Sequence, residues 1–295
     1  MKSIREFFFL SKECGLYNAL FYIWHKIALK LENSEWAVRR RERKARRLDR
    51  IFAALYMYTN ETCVLEDRKY IRVDAGLPER VYLRPYSSDR DVYTQVIAKH
   101  EYSNVSDIFN QYFKTPARNI VDCGGNIGLT TVYFNKCYPG ARFVTVEPMK
   151  DNIETLKLNF LAAGLRNYKL IEGGVWSENC TLVVNDTFRD GKEWSFSLRP
   201  GKGGEEGIPS YSLLEIVNSF DGPVDILKID VEGTEKILFS DPSYSAAFLQ
   251  KVKCLAIEIH DEFDCRQQIY DAFRAANFFY YDIRDLTIAI NRNYA

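Results

Sequence analysis

The chain has 295 residues, 46% of them hydrophobic and 14% aromatic, enough for a sizeable core and too apolar for wholesale disorder. Its formal charge is zero but unevenly spread. Residues 1–50 carry 13 Lys/Arg against 6 Asp/Glu, a net of +7, and residues 51–295 carry 27 against 34, a net of −7. A basic appendage on an acidic globular body follows, and the acidic body disfavours nucleic acid as a substrate. The seven cysteines are odd in number and never spaced C-x-x-C, which points to reduced thiols rather than a disulfide framework or zinc site. No apolar run reaches the roughly 18 residues of a spanning helix, and "FFFL" is too short for a signal peptide. The four N-x-[ST] matches, at Asn60, Asn104, Asn179 and Asn185, therefore carry little weight, and a cytoplasmic protein is expected.

Three segments are expected: a basic helical arm over 1–60, a lead-in of strands and helix over 61–118, and a ligand-binding domain over 119–295. In the arm, Leu16, Leu20, Ile23, Ile27 and Leu31 form one helical stripe, followed by the basic run "RRRERKARR". Packing on protein is the plainer reading of this stripe. Docking on an anionic membrane, with Phe7, Phe8, Phe9, Tyr22 and Trp24 beside the basic residues, is the sharper one. "YIRVD" and "VYLRPY" read as short strands, and "RDVYTQVIAKHEY" as a helix. Alternation then becomes regular. "NIVDCG" is a buried strand with a helix from Leu129 to Lys136, and "RFVTVEP" is a second strand with a helix from Lys150 to about Ala163. "YKLIEGGVW" is a third strand. "CTLVV" and "SFSL" flank a loop that ends in "GKGGEEG", a hairpin rather than a phosphate cradle. "SLLEIVNSF" is a helix, "VDILKIDVEG" a fourth strand and "KCLAIEIH" a fifth. A helix near 266–276 precedes "FFYYDIRD" and "LTIAINRN", a final hairpin. The pattern predicts an α/β, Rossmann-like fold with a mostly parallel sheet, helices on both faces and a C-terminal β-hairpin. Ligands of such sheets bind at the carboxyl ends of the strands.

In "VDCGGNIG", Gly124 and Gly128 permit a tight turn and close backbone approach. Asp122 would repel a phosphate at this helix start, so a nucleoside with a cationic end and no phosphate suits the turn better. S-adenosylmethionine fits, with its ammonium and sulfonium. Glu147 stands 19 residues after Gly128, at the end of the second strand, where a carboxylate can accept both ribose hydroxyls. Val175 and Trp176 are placed to wall an adenine ring, although Trp176 serves equally well as core.

With these motifs in order, the chain from about Leu83 to Arg292 resembles the FkbM family of S-adenosylmethionine-dependent methyltransferases. The resemblance rests on "YLRPYSSDRDVYTQV", "HEY", "IVDCGGNIGLTT", "VEPMKDNIETLKLNF", "IPSYSLLEI", "DILKIDVEGTE" and "AIEIH". It implies cofactor roles for Asp122, Gly124, Asn126, Gly128 and Glu147, and O-methylation of a sugar, glycan or other small natural-product acceptor. The family favours D-x-G-A-N-x-G, so Gly125 replaces an alanine, a change expected to matter little.

A sugar-like hydroxyl is a poor nucleophile and calls for a base. Candidates are Lys228, Asp230 and Glu232 on the fourth strand, with Glu258 and His260 on the fifth, His260 being read as a neutral base beside Asp230. An ion-pair network is the plainer reading of these charges. The Asp/Glu/His set has donors for Mg²⁺, but a metal-free site is the expectation. "DVEG" stands where base methylases carry D/N-P-P-Y/F, and the missing G-x-G speaks against an oxidoreductase. A weakly catalytic scaffold docking through the basic arm is the alternative reading.

Overall fold

The computed structural model describes residues 12, 61–65, 68–74, 80–185, 197–201 and 205–295. The arm helices expected within 1–60 lie, residue 12 apart, outside the described residues. By compactness the chain divides into one unit of residues 1–74 and 80–90 and another of residues 75–79 and 91–295.

In the first unit, β1 (Glu61–Leu65), β2 (Arg68–Asp74) and β3 (Arg80–Leu83) form an antiparallel sheet in that order. Ile71 pairs with Leu83 and Val73 with Val81, and all four are buried. The period-two spacing of "YIRVD" and "VYL" puts them on one face. Just beyond β3, the fully buried Asp89 carboxylate takes both Nε (3.0 Å) and Nη2 (2.6 Å) of Arg84. It also accepts the Arg84 backbone N–H at 2.7 Å, so one side chain closes the turn.

The helix expected across 90–102 is shorter. A turn of α-helix, α1 (Asp89–Tyr93), runs into a π-helical turn at Thr94–Ala98. His100, at a left-handed φ of 51°, ends it. A helix that the sequence reading omitted, α2 (Ser103–Phe113), follows.

The second unit is built on a seven-stranded sheet in the order β13-β14-β12-β11-β4-β5-β6. Its central strands are β4 (Asn119–Cys123), β5 (Arg142–Glu147), β6 (Tyr168–Glu172), β11 (Val224–Ile229) and β12 (Val252–Glu258), all parallel. β13 (Phe278–Ile283) and β14 (Leu286–Asn291) form the expected hairpin, and β14 runs antiparallel to β12. Every residue of β11 is buried, as a strand covered on both faces requires. The covering helices are α3 (Leu129–Cys137), α4 (Lys150–Ala162), α5 (Leu213–Asn218), α6 (Glu235–Leu238), α7 (Pro242–Leu249) and α8 (Arg266–Ala275). Between helices and sheet, Phe239 meets Phe248 and Phe273 edge-to-face at 5.5 and 5.9 Å.

The third strand read from the sequence is two strands. It breaks at Gly173, where a Cβ would lie 2.4 Å from the Pro209 carbonyl oxygen. Beyond the break, β7 (Gly174–Trp176) leaves the main sheet and pairs in parallel with β10 (Ile208–Ser212). With β8 (Thr181–Asn185) and β9 (Ser197–Pro200) these make a four-stranded sheet, β7-β10-β8-β9. The strand order of the main sheet reverses at β4, whose neighbours β5 and β11 lead away in opposite directions. Their carboxyl ends therefore open a crevice, the place where such sheets take ligands.

Candidate active site

The crevice is a cleft of about 550 Å³. Its floor is the turn from β4 to α3. Gly124 and Gly128 sit at φ of 83° and 84°, and Asn126 takes a left-handed φ of 48° between them. The Gly124 and Gly125 N–H groups both donate to the Val146 carbonyl, at 3.0 and 2.9 Å, which ties the turn to β5. A Cβ on Gly124 would stand 1.9 Å from the Asp230 carbonyl oxygen, and one on Gly128 would stand 2.8 Å from the Phe160 ring. Gly125 is equally constrained, because a Cβ there would lie 2.4 Å from Thr145 Cγ2. The glycine in place of alanine is thus matched to Thr145, and the change matters more than the sequence reading supposed.

Beneath the turn lies a buried polar layer that the ladder register creates. Asp122 pairs across to Lys228 on β11 and to Thr145 on β5, so three polar side chains share one face. Lys228 Nζ lies 3.2 Å from Asp122 Oδ1 and 3.6 Å from Asp230 Oδ2. It donates to the carbonyls of Cys123 (3.2 Å) and Gly124 (2.6 Å). Thr131 Oγ1 donates to Asp122 Oδ2 at 2.7 Å and meets Thr145 Oγ1 at 2.9 Å. Burial alone would lower the Lys228 pKa, but Asp122 and then Asp230 hold it well above the usual lysine value. Asp122, expected to face a cationic ligand, is instead fully buried under the turn and neutralised by Lys228. It acts on the glycine turn through Lys228, which donates to the Cys123 and Gly124 carbonyls.

Glu147 ends β5 and lines the cleft while only 4% exposed. Its carboxylate accepts the N–H groups of Asn126 (2.7 Å) and Met149 (2.9 Å) and the Asn152 amide (3.0 Å). Burial raises its pKa, and these three donors oppose the rise. The Asn126 carboxamide oxygen is buried without a hydrogen-bond partner, although Asn126 lines the cleft. A ligand donor, such as an ammonium group, is what that atom lacks. The glycine floor, Glu147 and Asn126 therefore fit an aminoacyl nucleoside such as S-adenosylmethionine. Val175 lines the cleft as expected; Trp176, 6% exposed, lies in the core and does not.

The same cleft is also lined by Asp230, Glu232, Glu258 and Glu101. Glu232 has a φ of 48° and is followed by Gly233 at 96°, a double left-handed turn that returns the chain after β11. This brings Glu232 Oε2 within 3.4 Å of His260 Nε2, and Glu258 Oε1 lies 3.7 Å from the same nitrogen. His260 Nδ1 is 2.8 Å from Glu235 Oε1, and Glu235 is fully buried. Burial pushes the Glu258 pKa up to about 8, with the Asp230 charge adding to it and His260 opposing it. Burial and then Asp230 likewise raise that of Glu101. For His260, burial would lower the pKa, but Glu235 and the charges of Asp230 and Glu232 lift it to about 9. The expectation of a neutral His260 acting as base is corrected: with both ring nitrogens among carboxylates, it carries a proton near pH 7. Lys228 also lines the cleft but is 2% exposed, its ammonium held by Asp122 and the Cys123 and Gly124 carbonyls, which suits charge balance.

Sequence reasoning gave no role to Glu235 or Glu101, although both lie within quoted motifs, "DVEGTE" and "HEY". A third carboxylate after Asp230 and Glu232, on a short helix, was the available signal for Glu235.

The sequence profile described as the methyltransferase FkbM domain matches residues 122–286. The comparison with curated proteins gave no match. Among solved structures the chain is similar to the O-methyltransferase TomG from Streptomyces achromogenes, involved in tomaymycin synthesis and solved in complex with SAM. That likeness has 11% identity, covers 67% of this chain and 86% of that one, and has a TM-score of 0.39. It is also similar to precorrin-6y C5,15-methyltransferase from Geobacter metallireducens (9% identity, 63% and 85% covered, TM-score 0.37). A third is an rRNA methylase from Streptococcus thermophilus (11% identity, 64% and 94% covered, TM-score 0.39). Among the described residues no helix is long and apolar enough to cross a membrane.

Proposed function

This chain belongs to the FkbM methyltransferase family, a family of S-adenosylmethionine-dependent enzymes, and we propose that it methylates a hydroxyl of a small polyhydroxylated acceptor, a sugar, glycan or related natural product. One observation carries the reading. A single cleft is lined both by Gly124, Asn126 and Glu147, a nucleoside-type set, and by the acidic group Asp230, Glu232 and Glu258.

Gly124 and Gly125 give the cofactor close access to backbone, Glu147 takes its ribose hydroxyls, and the Asn126 carboxamide oxygen takes its ammonium. When bound, S-adenosylmethionine supplies a methyl group on a positively charged sulfur, an electrophile that needs no further activation. What the protein must supply is an aligned, deprotonated oxygen. Asp230 ends β11 beside the glycine turn, its backbone N–H held by the Cys123 carbonyl at 3.1 Å. Its carboxylate orients the acceptor hydroxyl and draws off the proton, and the acidic wall around it favours a neutral, hydroxyl-rich acceptor over an anion. His260, fixed behind this wall by Glu235, positions Glu232 and Glu258.

The test is transfer of labelled methyl from S-adenosylmethionine into host extract, with the linkage read by NMR and mass spectrometry. Label on oxygen of a hydroxylated product is expected. Label on nitrogen or carbon would overturn the assignment of the acceptor.

A further inference from the structure

The acidic side chains of the cleft gather around one buried imidazole. One ligand atom each from Asp230, Glu232 and His260 lie within 4.8 Å of one another. His260 Nε2 is 3.4 Å from Glu232 Oε2 and 3.7 Å from Glu258 Oε1. Donor atoms about 2.1 Å from one ion in tetrahedral or octahedral array lie about 3.0–3.5 Å apart, a range the His260–Glu232 pair meets at 3.4 Å and the rest of the group approaches. The imidazole is 97% buried (3% exposed) and aimed into the cluster, and its Nε2 has no hydrogen-bond partner. Its other nitrogen meets the buried Glu235 carboxylate at 2.8 Å. Glu235 is itself anchored, accepting the Val231 N–H at 3.2 Å. An imidazole that donates Nδ1–H to a buried carboxylate presents its Nε2 lone pair forward, the arrangement metal-bound histidines adopt.

We infer that Asp230, Glu232 and His260 bind a divalent first-row transition ion, with Glu258 as a fourth donor and Glu235 as the positioning carboxylate. An imidazole among carboxylates selects Mn²⁺, Fe²⁺, Co²⁺ or Zn²⁺ over Mg²⁺ and Ca²⁺, which prefer oxygen alone. The ion takes the Nε2 position that a proton holds otherwise. Facing the cleft, it binds the acceptor's oxygen and lowers the pKa of the hydroxyl, a more effective route to an alkoxide than a carboxylate alone. This use of the ion rests on the hydroxyl-methylation reading; the binding site itself does not.

The test is a titration of the full chain, stripped with chelator, with Mn²⁺ followed by electron paramagnetic resonance and calorimetry. One Mn²⁺ per chain is expected, with spin-echo modulation from a single imidazole nitrogen in the unmutated protein. Glu232→Gln, at a half-buried position, should weaken binding at least tenfold with an unchanged melting temperature, and Glu235→Gln should weaken it 10- to 100-fold. No bound Mn²⁺, bound Mn²⁺ lacking the nitrogen signal, or affinity indifferent to Glu232→Gln would overturn the site. Because binding is read without turnover, failure of the ion and failure of the acceptor assignment are separable. Methyl transfer that persists in chelator, without Mn²⁺ binding, would refute only the ion.

Discussion

Replacement of Lys228 by methionine keeps the length and apolar stem of the side chain but removes the cation beneath the glycine turn. Asp122 is then fully buried with Thr131 Oγ1 still donating to it and its Lys228 partner at 3.2 Å gone. Breaking a buried pair by removing one partner costs about 3–5 kcal/mol, most of it the penalty of the stranded charge. Asp230, 29% exposed and 3.6 Å from Nζ, adds little, since water screens it. Asp122→Asn alone is milder, about 1–3 kcal/mol, because Lys228 keeps Asp230 and the two carbonyls at 3.2 and 2.6 Å. The double variant leaves no stranded carboxylate, so it should be no less stable than Lys228→Met alone, a coupling of about 1–3 kcal/mol. The lysine pKa is raised, so its stabilisation is fully present below its unfolded value of 10.5 and is lost only as pH climbs beyond it. The pattern should therefore hold throughout the neutral range and, being buried, resist added salt. Urea denaturation followed by far-UV circular dichroism gives the four stabilities. Additive costs, with the double variant the worst, would refute the pairing of Asp122 with Lys228.

Gly124→Ala should destabilise by more than the roughly 1–2 kcal/mol of left-handed strain, because its Cβ meets the Asp230 carbonyl oxygen at 1.9 Å. Gly140→Ala, with nothing within 4 Å and no positive φ, should be neutral or slightly stabilising in the same thermal melts. Glu147→Ala should cost about 1.5–3 kcal/mol of S-adenosylmethionine affinity by calorimetry, and unchanged affinity would remove Glu147 from the ribose. Asp230→Asn should lower turnover by roughly 10²–10⁴-fold with cofactor affinity little changed, and near-normal turnover would make Asp230 structural.

The main sheet was legible because its strands are short apolar runs closed by glycine or charge, and their order followed from alternation with helices. What escaped were features set by single residues or by tertiary pairing. The break at Gly173 needs Pro209 of a distant strand to be visible, and β10, which carries that proline, went unassigned. The start of α7 was readable but passed over: Asp241 caps the Ser243 and Tyr244 N–H groups with Pro242 at the first turn. In the site, residue types and spacing pointed to Glu147 and Asp230 at strand ends and the family resemblance to Asn126, and all three line the cleft. Residue types and spacing could not reveal that Asp122 and Lys228 face each other below the floor, because that depends on the register of β4 against β11. Nor could they give the protonation of His260, which is fixed by Glu235 on a helix of four residues.

The most direct test of the nucleoside cleft is calorimetry of the full chain with S-adenosylmethionine, S-adenosylhomocysteine and NAD. Micromolar binding of the first two and none of the third is expected, because the floor offers Glu147 and Asn126 to ribose and ammonium and nothing to a pyrophosphate. Binding of NAD, or of no nucleoside at all, would contradict it.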